Sequence, residues 1–206
     1  MQRRPYRIVF LGGAAGDWGG ASRVLFNTLR MLDRSVFEPI VLLPRDGPAV
    51  SLLDGLAISY RIWSGPTDSM PAWRRYGTAL ASSVRMLRSL RADLLDVNLN
   101  FWRPPEVLAA RLLGIPVVNH FHLVFPRADV FIRLAAAVTT VSAYAACHGS
   151  FAGRRVEVIP NTVVPARFDQ AASLREELGL AGSDVVVSFI GQIRESKGIG
   201  AFLRMA

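Results

Sequence analysis

Two imidazoles stand two residues apart at the end of an apolar run, in PVVNHFH, as His120 and His122. In a strand that spacing puts both rings on one face, at the strand's C-terminal end. Ligands of open α/β sheets bind at that end, so the pair reads as ligand-facing. A pair of this kind can also hold a metal when a third ligand joins it, but none with convincing spacing follows. Either ring alone also fits a satisfied structural role.

A second signal lies in GQIRESKGIG. Lys197 is the chain's one lysine, and every other basic residue from Arg3 to Arg204 is an arginine. Arginine offers a planar fork for bidentate contacts, whereas lysine is a compact point charge on a flexible stem. A lysine between a strand-like run and a helix start is therefore a candidate for neutralising an anion. A third signal is the loop GGAAGDWGGASRV. Glycines after a first strand, leading into a helix N-terminus, let backbone N–H groups approach an anion closely. Asp17 and Trp18 stand inside that loop, where an aromatic has no core to join. The spacing fails the dinucleotide fingerprint, and the loop lacks the lysine of a P-loop. A tight turn with no ligand is the other reading.

These residues need elements to position them. RIVFLG, PIVLLP, SYRIW, LLDVNL, PVVNHFH, VTTVS and VEVIPN are short apolar runs, separated by helical patterns such as ASRVLFNTLRML and PPEVLAARLLG. Nearly continuous Val/Ile/Leu runs alternating with helices predict a parallel sheet covered on both faces. The expected class is α/β, a doubly wound Rossmann-like domain over 1–165. A proline-interrupted linker and a helical stretch, DQAASLREELGL, are expected within 166–183. A second α/β domain is expected to open at 184 with the buried-type strand SDVVVSFIG and to remain incomplete at 206. The pattern over 73–91 predicts an amphipathic helix, with Trp73, Tyr76, Leu80, Val84, Leu87 and Leu90 on one stripe and Arg74, Arg85 and Arg88 off it. That basic face is either solvated or docked on an anionic membrane.

Composition narrows the partners. Of 206 residues, 51% are hydrophobic and 19% charged, which provides a sizeable core and argues against disorder. A net charge of +8 points to anionic partners. The arginines are dispersed and accompany no nucleic-acid-binding signature, so nucleic acid is not expected. The single cysteine, Cys147, allows no internal disulfide and fits a reducing compartment. With no apolar stretch long enough to span a bilayer, the expected location is cytoplasmic, with peripheral contact at the inner face of the membrane.

The order of these motifs resembles family 4 glycosyltransferases of the two-domain GT-B fold. GGASRV, RADLLDVNL, IPVVNHFH, VTTVSAYAA, VEVIPNTV with a following RF, and VVVSFIGQIRESKGI succeed one another as they do there. The resemblance implies an N-terminal acceptor domain, a C-terminal domain for a nucleotide-diphospho-sugar, and transfer between them without metal or cofactor. It implies that Gly19 and Gly20 face the cleft and that His122 lies close to the donor sugar with His120 beside it. Asn161 falls in the interdomain motif, although Thr162 stands where glycine is usual. Lys197, with Gly191 and Arg194, falls in the turn that binds the donor diphosphate, although Gln192 stands where that family has arginine. The acceptor implied is a lipid-linked glycan or polysaccharide in envelope or exopolysaccharide assembly, and the mechanism most often retaining.

Two other readings come from the residues themselves. A non-catalytic acceptor or membrane-binding module fits a chain that stops inside a second domain. A dinucleotide-dependent oxidoreductase would need a ribose-binding acid after the second strand, for which Asp46 is the candidate.

Overall fold

Every apolar run but the last becomes a strand of one sheet. The computed structural model describes residues 4–12, 19–63, 73–98, 105–125, 127, 130–163 and 173–205. Its strands are β1 (Tyr6–Leu11), β2 (Phe37–Leu43), β3 (Ser59–Ile62), β4 (Leu94–Val97), β5 (Val117–Phe121), β6 (Ala137–Thr140) and β7 (Val156–Val158). They lie in the order β3-β2-β1-β4-β5-β6-β7, and every pairing is parallel. The helices α1 (Gly20–Met31), α2 (Pro48–Gly55), α3 (Trp73–Leu90), α4 (Pro105–Leu112), α5 (Val130–Leu134) and α6 (Ala143–His148) fall between successive strands. This is the Rossmann-like α/β architecture expected from the alternation.

Strand alternation separates two cores. Val9, Leu11, Ile40, Leu42, Leu95, Val97 and Val117 pack with Met86 and Leu87 of α3 and with Val107, Ala109 and Ala110 of α4. On the other face Phe10, Val41 and Leu43 pack with Leu25, Phe26 and Leu29 of α1 and with Ala49 and Leu53 of α2. The stripe expected on α3 is the buried one: Leu80, Val84 and Leu90 flank Leu87, which is fully buried. Arg85 and Arg88 are exposed. Trp73 and Arg74 have side chains outside the described residues.

The strand order reverses at β1. The chain steps outward to β2 and β3, then returns to place β4 on β1's other side. Such a reversal opens a crevice beyond the carboxyl ends of the two central strands. At the opposite rim Arg4 makes a two-pronged contact with Asp93, at 2.8 and 2.9 Å. The same carboxylate accepts from the Arg7 N–H at 2.8 Å, which fastens β1 to the start of β4.

The chain divides into two compact units, 1–163 and 164–206. In the second, the run over 184–191 forms no strand, contrary to the sequence expectation. Val185 and Ile190 are 90% and 95% exposed. A strand exists only as one side of a ladder, and the described residues of this unit offer it no second extended segment. The described part of DQAASLREELGL likewise forms turns instead of a helix. A 3-10 turn (Glu195–Lys197) then leads into α7 (Ile199–Met205).

Candidate functional site

Three polar side chains meet at the carboxyl ends of β4 and β5, on the sheet face that α1 covers. His120 is buried in β5 and lies in register with Thr139 of β6, whose hydroxyl it contacts through Nδ1. His122 follows two residues later on the same side. The two rings meet edge to face, with centroids 4.6 Å apart. His122 Nε2 lies 2.7 Å from Oδ1 of Asn98, the residue after β4. The Asn98 amide in turn donates to the Ala21 carbonyl, in the first turn of α1, at 2.9 Å. Asp96 stands two residues before Asn98 on the same face, in register with Phe10 and Val118.

Burial sets the charge state of this cluster. Removal from water disfavours a charged imidazole, so His120 is held below its ordinary value. Burial, aided by repulsion from His120, takes His122 down to about 4. Both rings are therefore neutral near pH 7. Burial acts in the opposite sense on a carboxyl and raises Asp96 to about 7. The cluster thus sets two neutral imidazoles beside an amide. Among the described residues, no group of three or more His, Cys, Asp or Glu is placed to hold a metal, and no helix is long and apolar enough to cross a membrane.

Gly12, Gly19 and Gly20 are the described glycines that flank the site. Gly12 closes β1: its N–H donates to the Leu42 carbonyl at 2.9 Å, and a Cβ there would come 3.1 Å from that oxygen. Gly19 caps α1 with a left-handed φ of +88°, and among the described residues nothing lies within 4 Å of a Cβ built there or on Gly20. Among the described residues, then, neither glycine is required by close packing. Asp17 and Trp18 lie outside the described residues.

Residues 18–167 match the model of Glycosyltransferase Family 4. That stretch is well over half of the chain and contains the whole cluster. The chain belongs to Glycosyltransferase Family 4.

No curated protein sequence matches significantly. Solved structures share the fold at low identity. A glycosyltransferase from Rickettsia africae superposes with a TM-score of 0.64 at 14% identity, covering 88% of this chain and 51% of that one. Anabaena HepE in complex with UDP and glucose gives 0.58 at 21%, covering 84% and 50%. The lipopolysaccharide outer core galactosyltransferase WaaB gives 0.56 at 15%, covering 76% and 46%. These neighbours place the sheet within the GT-B fold. The chain spans about half the length of the solved structures it matches.

In this family 4 chain the structure brings His120, His122 and the start of α1 together. Asn161 is exposed, in the extended segment after β7. Its neighbour Thr162 is tied to α1 by the buried Asn27 side chain, which donates to the Thr162 carbonyl at 2.9 Å. Gly191, Arg194 and Lys197 lie in the second unit. All three are exposed, and the Lys197 N–H closes the 3-10 turn on the Arg194 carbonyl at 2.9 Å. Glu195 folds over Gly200, where a Cβ would come 2.7 Å from its carboxylate. Asp46 is engaged locally, accepting from the Gly47 N–H at 2.7 Å just before α2. Sequence reasoning missed Asn98 and Asp96. Their signal was present in LLDVN, where polar residues at alternate positions interrupt a strand that should be apolar on both faces.

Proposed function

We propose that the protein transfers a sugar from a nucleotide-diphospho-sugar to a hydroxyl of a lipid-linked or polysaccharide acceptor. The observation that carries this reading is the neutral His120–His122 pair beside the open start of α1, at the strand-order reversal of a family 4 sheet. The UDP and glucose of HepE support a nucleoside-diphosphate donor, and the lipopolysaccharide substrate in WaaB's name supports an envelope acceptor.

In the proposed reaction the acceptor hydroxyl oxygen forms the new glycosidic bond on the face from which the diphosphate departs, the sugar's bond to the diphosphate breaks, and the hydroxyl's proton passes to the departing phosphate oxygen. The electron pair leaves with the phosphate, so negative charge grows there. A preorganised cation at that point stabilises the transition state more than the ground state. Lys197 has this role, with Arg194 and the Gly191 backbone as neighbours. His122, uncharged at neutral pH, hydrogen-bonds the sugar without adding a competing charge. The reaction needs no cofactor or metal under this scheme, and stereochemistry is retained. Exposed arginines on α3 fit a protein held against an anionic inner membrane face.

Mass spectrometry of products tests the reading. The protein is given a panel of nucleotide sugars with lipid-linked and glycan acceptors. Gain of one sugar mass by the acceptor, with release of a nucleoside diphosphate, is expected. Lys197→Ala should lower turnover by roughly a hundredfold or more with unchanged folding. Full turnover in that variant would remove the lysine from the mechanism, and hydrolysis without transfer across the panel would overturn the activity.

A further inference from the structure

Asn98 makes two hydrogen bonds whose chemistry leaves one solution. The Ala21 carbonyl can only accept, so the Asn98 atom 2.9 Å from it must be the amide nitrogen. The other arm of the amide is then Oδ1, which can only accept. It lies 2.7 Å from His122 Nε2, so that ring nitrogen must carry the hydrogen. Asn98 is 5% exposed, so water competes weakly for either bond.

We infer that Asn98 is a positioning residue that locks His122 in its Nε2–H tautomer and couples the ring to the first turn of α1. Nδ1 then holds the ring's lone pair, and any hydroxyl that bonds it must donate. The two halves of the crevice are joined through this amide. The start of α1 follows β1, His122 follows β5, and Asn98 follows the strand between them. A displacement of the first turn of α1 is thereby passed to the ring. The importance of this for catalysis rests on the sugar-transfer reading; the tautomer and the coupling do not.

Long-range proton–nitrogen NMR of the whole chain tests the inference. The sequence has three histidines, so single substitutions assign the ring signals. At neutral pH His122 should show a protonated Nε2 and an unprotonated Nδ1. Asn98→Asp keeps the acceptor but places a carboxylate on the ring, and should raise its proton affinity by about tenfold or more. Asn98→Leu should admit the Nδ1–H form and speed amide exchange several-fold in the first turn of α1, leaving α3 unchanged. A wild-type Nδ1–H tautomer, a titration that Asn98→Asp leaves in place, or exchange that rises equally in α1 and α3 overturns the inference. If the leucine variant does not fold, the wild-type and aspartate measurements still decide. Loss of transfer in His122→Ala beside an unresponsive Asn98 would sink this inference alone. A locked tautomer in a protein that transfers no sugar would sink only the functional reading.

Discussion

Asp96 and His122 share one face of the sheet, and burial displaces their proton affinities in opposite directions. The His122 value falls to about 4, against about 6.5 for a free imidazole. Between those limits the unfolded chain binds the extra proton, so this group's contribution to stability rises with pH and is lost as pH falls from about 6.5 to about 4. The Asp96 value rises to about 7, against about 3.9 when solvated. Here the folded state binds the extra proton. Its contribution is fully present below about 3.9 and is lost as pH rises through about 7. The two effects oppose each other across mildly acid pH and flatten the wild-type profile. Asp96→Asn removes one of them. Urea denaturation between pH 4.5 and 8 should show the variant gaining on the wild type as pH rises, with the gain levelling off above about pH 7. A constant difference would mean that the carboxyl is no more crowded folded than unfolded.

At the scale of elements, α1 shows how local backbone and site are linked. Gly19 has a left-handed φ of +88° and Gly20 opens the helix, yet neither Cβ position meets a neighbour among the described residues. Gly19→Ala should therefore cost about 1–3 kcal/mol from backbone strain alone. Gly20→Ala should stabilise by about 0.4–1 kcal/mol, because it narrows the unfolded ensemble at a helical position. Denaturant midpoints of the two variants, moving in opposite directions, would separate conformational need from close packing. The existence of α1 and of the sheet was legible because buried parallel strands appear as Val/Ile/Leu runs and helices as a longer period. The bond between Asn98 and His122 was not. It spans 24 residues and depends on β4 lying beside β5, and strand order is not a property of any local window. The run over 184–191 misled for a related reason: residue type records a preference for a sheet, while a ladder needs a partner.

At the largest scale, the described residues bury their aliphatic side chains in one unit and leave a β-branched run exposed in the other. Among the described residues the buried aliphatic side chains belong to 1–163, where Leu29, Leu53, Leu87 and Leu95 are all fully buried. In the second unit Val185, Val187, Ile190 and Ile193 are 90%, 64%, 95% and 85% exposed. A β-branched run of this kind with open backbone groups is a template for pairing with another chain. Leu95→Ala should then cost about 2–5 kcal/mol, from lost transfer energy and the cavity left behind. Val187→Lys should leave stability within about 0.5 kcal/mol, as at other surface positions. It should nonetheless lower concentration-dependent self-association, because a charge in the run makes strand pairing costly. Light scattering across a dilution series, read beside urea unfolding of the same samples, separates the two effects. A lysine variant that unfolds as readily as Leu95→Ala would place Val187 in a core. One that associates as strongly as the wild type would move the sticky surface elsewhere, with the exposed residues of α7, Leu203 and Met205, next to be substituted.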